Sequence, residues 1–367
     1  MLRPHPTSWA RRTAYQGGGF SLVELLTVVF IISLLISILI PSLTSARNAA
    51  KKARTNADIR ALGTALQLFK NDNERDFPQT NGFPPSFSHP PIRESSGGDS
   101  VFDPVIGEFP FVKNTSVTPI AYGAHWLPAM LMGVDQLGYV PRKNVPPEFR
   151  SQPDQWYVPN PGGGSDEPFP RMPFYIEPGG VKTVRTEDLR GRPPSNMARL
   201  FPTWEETRHL PVFVDSFDQP ILYYVANRHG RKTNMVDIQH NASNRYDGGP
   251  PYYFHVDNWG FTGKSLQNED GWGWDFGGGG DHPIAEPGDE LTADLLMQEE
   301  HRKTFARFVL DRTIASKFEE ALNEGETIDA NAPLLPANPD SFLLISAGVD
   351  GQYGTSDDIT NYPLSVE

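Results

Sequence analysis

The chain has 367 residues, a formal net charge of −13 and no cysteine. Its length allows one or two domains, and its acidity disfavours nucleic acid as a partner. The lack of cysteine excludes disulfides and thiolate metal sites.

The first element is an apolar run from Phe20 to Ile40, in which Glu24 is the only charged residue. At about 1.5 Å of rise per residue, a helix of this length matches a hydrocarbon core of about 30 Å. The run therefore predicts a transmembrane helix over residues 20–41. Residues 1–19 carry three arginines and no acid and end in three glycines, which is typical of a removable leader.

The small residues of this leader precede the apolar run, whereas a secretory signal places them after it. The order of Gly19, Phe20 and Glu24 resembles the class III signal of type IV pilins and type II secretion pseudopilins. The resemblance implies that a prepilin peptidase cleaves between Gly19 and Phe20 and that the new Phe20 amine is methylated. It also implies that Glu24, a carboxylate that needs a partner inside lipid, pairs with the amine of a neighbouring subunit during filament assembly. An ordinary signal anchor is the alternative.

Charge alone leaves the orientation open, because Arg47, Lys51, Lys52 and Arg54 follow the apolar run just as three arginines precede it. The resemblance implies a single pass through the inner membrane, with the N-terminus cytoplasmic before processing and the head in the periplasm or cell exterior. The partners that it implies are other pilin or pseudopilin subunits, the prepilin peptidase, an inner-membrane assembly platform and the lipid bilayer.

Residues 42–70 are predicted to continue the helix past Pro41. Small and apolar residues recur there at steps of three and four, from Ala46 to Phe69. Alanines dominate the first half of this stripe, and bulkier side chains begin at Leu62, where we expect the head to pack. The end of the helix also resembles the pseudopilin pattern. Gly63 departs from it and is expected to weaken the helix by about 1 kcal/mol relative to alanine.

The head, residues 71–367, is predicted to have an α+β fold in which the long helix packs on an antiparallel sheet, as in pilins. Two segments rich in proline, glycine and aromatic residues, at about 78–210 and 227–330, are predicted to be large insertions. Residues 123–138 of the first segment are expected to contain a short helix. In the second, the apolar spacing from 289 to 323 predicts another helix.

Residues 211–224 predict a β-hairpin whose turn lies at Gln219 and Pro220. This stretch resembles the hairpin of the pseudopilin sheet, except that Asp218 stands where the family usually has glycine. We interpret it as a structural motif.

A glycine-rich loop follows a strand predicted at residues 342–345 and carries Asp350, Asp357 and Asp358. Clustered carboxylates suit a hard cation such as calcium, although the spacing does not fit an EF-hand. A simple Gly-Asp turn is the alternative. The loop resembles the calcium loop of the major type II secretion pseudopilin. That resemblance implies that the three aspartates are side-chain ligands of calcium and that main-chain oxygens near Ala347 and Thr355 complete the site.

The resemblance covers residues 17–80, 211–224 and 341–359, and it implies a structural filament subunit with no catalysis of its own. A minor type IV pilin with a ligand-binding or adhesive head is one alternative. A membrane-anchored enzyme that uses the His- and Asp-rich middle, with His255 and Asp257 as candidate metal ligands, is another. The sequence contains no recognisable catalytic triad, metal signature or phosphate loop that would favour the enzyme.

Overall fold

The structure is a computed structural model, and its contacts divide the chain into one unit that ends at Ala50 and another that begins at Lys51. It describes residues 21–77, 80–86, 122–149, 156–157, 169–189, 207–226, 233–234, 253, 255–258, 261, 308–313, 316–317, 320 and 333–364.

The longest element is helix α1, Leu22–Asn73, with 52 residues and Pro41 in its interior. Its existence confirms the prediction that one helix continues past the proline. The helix contains a stretch that is long and apolar enough to cross a membrane, and none of that stretch is buried. The core helix of a soluble protein would bury such a surface.

The later half of α1 buries a single stripe, which lies in the unit that begins at Lys51. Thr55, Leu62, Leu66 and Phe69 are fully buried and recur at helical spacing, so they lie on one face. Leu62, Leu66 and Phe69 share a hydrophobic core with the sheet, and a side chain added at Gly63 would contact the Phe342 ring at 3.9 Å. The part of the predicted stripe with bulky side chains, from Leu62 onward, is therefore the part that packs against the head, as expected. The stripe's alanines from position 46 to 61 are exposed.

The central sheet has three antiparallel strands in the order β3, β6, β7, which span Leu222–Val225, Phe342–Ser346 and Ile359–Thr360. Alternate residues of β3 and β6 point to opposite faces, and each face contributes to a different hydrophobic core. Burial on both faces explains why these strands have continuous apolar sequences rather than alternating ones. The long helix and the antiparallel sheets make the fold α+β.

The predicted hairpin at 211–224 is present, but its turn lies earlier than expected. Strand β2, Pro211–Phe213, leads into a loop that the Asp215 N–H closes by donating to the Gln219 carbonyl at 2.8 Å. Asp218 occupies the turn with φ +69°, a left-handed conformation that favours glycine. The prediction that the turn lies at Gln219 and Pro220 is therefore wrong, since Pro220 already pairs back with Val214.

The segment predicted to be the first insertion contributes elements to the core. Helix α2, Gly123–Met132, is buried along its whole length and matches the short helix expected there. Strand β1, Thr183–Arg185, pairs antiparallel with β2. The described parts of this segment are thus integral to the fold rather than additions on its surface.

One predicted helix is interrupted. Within residues 289–323 the described residues include Leu310, which forms a β-bridge with Pro336. A residue in such a bridge cannot continue a helix, so the single helix that we expected there is wrong. Two short strands, β4 at Thr233–Asn234 and β5 at Pro333–Leu334, pair antiparallel, and β5 immediately precedes Pro336 of that bridge in the sequence.

Candidate functional site

The start of α1 contains the only acid of the apolar run. Glu24 Oε2 accepts a hydrogen bond from the Ser21 N–H at 3.0 Å, and Ser21 Oγ accepts one from the Val23 N–H at 3.3 Å. These two contacts cap the first turn, where backbone N–H groups lack helical partners. The partner of Glu24 in the described structure is therefore the residue that immediately precedes α1. The predicted cleavage and methylation residues, Gly19 and Phe20, lie outside the described residues.

The apolar side chains that follow Glu24 form a continuous exposed surface. Every large hydrophobic residue described from Leu22 to Leu43 is about half exposed or more. Exposed apolar patches of this extent mark contact with lipid or with another protein. This surface is the first candidate site.

A separate candidate site is the loop between β6 and β7, which carries the three predicted calcium ligands. Glycines give this loop its shape: Gly348, Gly351 and Gly354 all have positive φ. At Gly348 an added side chain would meet the Asp357 carbonyl oxygen at 2.3 Å, so the loop closes tightly on itself there.

The carboxylates of the loop accept hydrogen bonds from the loop itself. Asp357 Oδ2 accepts from the N–H groups of Val349, at 2.6 Å, and Asp350, at 3.1 Å. Its other oxygen accepts from the Thr355 hydroxyl at 2.7 Å. Asp350 Oδ1 accepts from the Gln352 N–H at 2.8 Å, as in an Asx turn.

Burial, neighbouring charges and hydrogen bonds shift the pKa values of the three acids. Burial raises the pKa of Asp358 well above its usual range, and the nearby Asp350 and Asp357 charges raise it further. Burial and the Asp357 charge likewise raise the pKa of Asp350. For Asp357, burial acts upward, but hydrogen bonds from Thr355 and the backbone outweigh it, and its pKa is lowered.

The structure brings the three predicted carboxylates together on one loop, with Thr355 bridging to Asp357. None of the ion pairs between described residues involves them, so their charges are not offset by a lysine or arginine there. Uncompensated, mutually repelling carboxylates have the chemistry that a calcium ion requires. Among the described residues, however, no three acidic or histidine side chains lie close enough to form a ready metal site. Asp357 in particular directs both oxygens at hydrogen-bond donors of the loop.

A buried carboxylate connects this loop to the hairpin. Asp215 is fully buried, and its Oδ1 accepts from the N–H groups of Phe217 and Gln219 at 2.7 and 2.9 Å. Its Oδ2 accepts from the Ser346 hydroxyl, at the end of β6, at 2.5 Å. Tyr353 in the acidic loop donates to the Pro220 carbonyl at 2.5 Å. Asp215 thus has the structural role that the hairpin motif predicts.

The middle of the chain holds a second buried acid, which the enzyme alternative named as a metal ligand. Asp257 is 2% exposed and accepts from the Ser86 hydroxyl at 2.5 Å. Burial raises its pKa well above the usual range, and the Ser86 hydrogen bond only partly opposes this. Ser86 also accepts from the Val225 N–H at 2.9 Å, so this pair ties β3 to its neighbours.

Several of these contacts have no signal in the sequence. Ser346 and Ser86 are ordinary serines in apolar or proline-rich stretches, and their partners lie 131 and 171 residues away. Thr55, which accepts from the Ser216 N–H at 3.2 Å, sits in the alanine-rich part of the helix pattern. Contacts of such long range depend on the tertiary fold, which spacing alone does not specify.

Comparison of the chain with protein-family models, with curated proteins and with solved structures finds no match.

Proposed function

We propose that this chain is a structural subunit of a type II secretion pseudopilus or a type IV pilus-like filament. Residues 20–41 anchor it in the inner membrane, the head lies in the periplasm or cell exterior, and the head adopts a pilin-like version of its α+β fold. The observation that carries the proposal is the exposed apolar half of α1, joined in one continuous helix to a half that packs on a sheet. Such a helix needs lipid or other copies of itself around its first half.

Glu24 supports assembly through that half. Among the described residues its carboxylate accepts a hydrogen bond from the Ser21 N–H, and Glu24 is exposed in the apolar part of α1. A carboxylate in a hydrocarbon environment is stabilised strongly by an opposite charge. The amine that cleavage at Gly19 would create on Phe20 of a neighbouring subunit is such a charge, and pairing with it would fix the register of adjacent helices.

We also propose that the loop between β6 and β7 binds calcium through Asp350, Asp357 and Asp358, with main-chain oxygens near Ala347 and Thr355. The mutual repulsion of the acids supports this, because a divalent cation would remove it. Some of the hydrogen bonds that Asp357 accepts would have to break when its carboxylate binds calcium. Calcium should therefore raise the thermal midpoint of the purified chain, and chelation should lower it. The effect should be lost when Asp350 and Asp357 are both replaced by alanine, and a midpoint insensitive to calcium in the wild type would contradict the proposal.

The experiment that tests the main proposal is mass spectrometry of the N-terminus of the protein extracted from membranes. We expect a mature chain that begins with a methylated Phe20. The Gly19→Asp variant should keep its leader, since the cleavage site is lost, whereas Gly17→Ala provides a matched control that should be processed normally. A wild-type protein recovered with residues 1–19 attached, or without its apolar helix, would refute the proposal.

A further inference from the structure

Strand β1 has β2 as its only strand partner among the described residues. On either side of the paired strands, the Lys182 carbonyl accepts and the Thr186 N–H donates in hydrogen bonds to residues that flank β2, at 2.9 and 3.0 Å. Alternate residues of a strand direct their backbone groups to opposite sides. Val184 therefore bonds to β2, whereas the N–H groups of Thr183 and Arg185 face away from it and form an outer edge.

The outer edge of β3, in contrast, is closed by side chains. Ser86 accepts from the Val225 N–H at 2.9 Å, and Asn258 donates to the Tyr223 carbonyl at 2.8 Å. These contacts take the places of hydrogen bonds to a further strand. Within the described part of the chain, the outward backbone groups of β1 have no such cover. An uncovered edge is a template on which another chain can pair.

Arg185, at the end of β1, gives this edge a cation that lacks a close partner. Its side chain is 64% exposed, and the one ion pair that it makes with a described residue, Glu187, spans 3.8 Å. That separation is beyond hydrogen-bond distance. Glu187 lies closer to His209, at 3.1 Å. The guanidinium of Arg185 thus keeps the donors that would bind a carboxylate in bidentate fashion.

We propose that the outer edge of β1 is a docking site for an extended, acidic peptide segment of another protein. The segment adds to β1 as a further strand, so that its backbone pairs with Thr183 and Arg185 and one of its carboxylates lies opposite Arg185. A second copy of β1 fits this edge less well, because self-pairing would place a second Lys182 and Arg185 beside the first two. This docking does not require filament assembly, since β1 lies in the head.

The test is fluorescence anisotropy of a short labelled peptide of alternating valine and glutamate, added to the full chain in a non-ionic detergent. We expect this peptide to bind about five-fold more tightly than a matched peptide of valine and lysine, and about 0.5 M NaCl to bring the ratio close to one. Arg185→Gln should also bring the ratio close to one. Arg60→Gln, which removes an exposed arginine of α1, should leave the ratio unchanged.

Proline substitutions test the contribution of the backbone. Thr183→Pro removes an N–H that faces away from β2, so the midpoint of urea denaturation should stay close to that of the wild type while peptide binding is lost. Thr183→Val controls for the lost hydroxyl and should still bind. Val184→Pro removes an N–H that bonds to β2 and should lower the midpoint.

Four outcomes would overturn the proposal. The first is a wild type that binds neither peptide or binds both equally, and the second is a Thr183→Pro variant that still binds the glutamate peptide. The third is a midpoint for Thr183→Pro as low as that of Val184→Pro, which would mean that the Thr183 N–H faces β2. The fourth is self-association of the wild type without peptide that Thr183→Pro abolishes, which would assign the edge to a second copy.

Discussion

Replacement of Asp215 by asparagine should change how the stability of the protein depends on pH. The carboxylate is fully buried and accepts three hydrogen bonds, from Phe217, Gln219 and Ser346. An asparagine of the same shape can accept the two backbone N–H groups with its oxygen, and its amide can donate to the Ser346 oxygen. The variant therefore keeps the local geometry and removes the ionisation.

The size of the effect follows from the pKa. Burial raises the pKa of Asp215 from its ordinary 3.8 to about 6, although the three hydrogen bonds act in the opposite direction. A rise of roughly two units, at about 1.4 kcal/mol each, corresponds to about 3 kcal/mol. Because the folded state holds the proton more tightly, this contribution is fully present below about pH 4 and is lost as pH rises through 6.

The measurement is urea denaturation of the full chain in detergent at several pH values between 4 and 7, followed by tryptophan fluorescence. Relative to Asp215→Asn, the free energy of unfolding of the wild type should fall by about 2.5 kcal/mol across this range, which is most of the full effect. Other acids titrate equally in both proteins, so their contributions cancel in the difference. A difference that stays constant with pH would refute the reasoning, since it would mean that Asp215 keeps one protonation state throughout.

Ser346→Ala serves as the opposing variant. It removes the donor that stabilises the ionised Asp215, so the pKa of that carboxyl should rise further above 6. We expect the loss of stability relative to the wild type to be larger at pH 7 than at pH 4, whereas the asparagine variant shows the reverse trend.

Three further changes probe α1 and the core. Gly63→Ala should raise the free energy of unfolding by about 1 kcal/mol, because alanine favours the helix and the added methyl lies at an ordinary 3.9 Å from Phe342. A loss of stability in urea denaturation would contradict this. Gly123→Ala should lower the free energy of unfolding by about 2 to 3 kcal/mol in the same assay, since its methyl would lie 1.9 Å from the Tyr223 carbonyl oxygen. An unchanged midpoint would count against this close contact. Glu24→Lys should still insert into membranes but form no filaments by electron microscopy, with Glu24→Gln intermediate; normal filaments in the lysine variant would exclude charge pairing.

The elements that the sequence specified best are those with local periodicity. The helical spacing up to Phe69, the short helix at 123–132 and the apolar strand at 342–346 were each visible because burial on a fixed face leaves a repeating pattern. The prediction of a helix over 289–323 relied on the same kind of apolar spacing and was wrong. That spacing does not reveal that Leu310 forms a β-bridge with Pro336.

The candidate site was only partly accessible to sequence reasoning. The acids of the loop at 347–358 could be found because they cluster within a few residues of glycines. The hydrogen bonds that Asp357 accepts could not be predicted, because they depend on how the loop folds back at Gly348. The link from Asp215 to Ser346 joins two positions 131 residues apart and required the register of the sheet.

That link has a mechanical consequence. Thr55 on α1 accepts from Ser216, the neighbouring Asp215 accepts from Ser346, and Ser346 ends the strand that leads into the acidic loop. Short directional bonds of this kind tolerate little displacement. Tension along the helix at Thr55 would therefore be transmitted through two hydrogen bonds to the strand that leads into the acidic loop, and the hairpin acts as a strut between the helix and that strand.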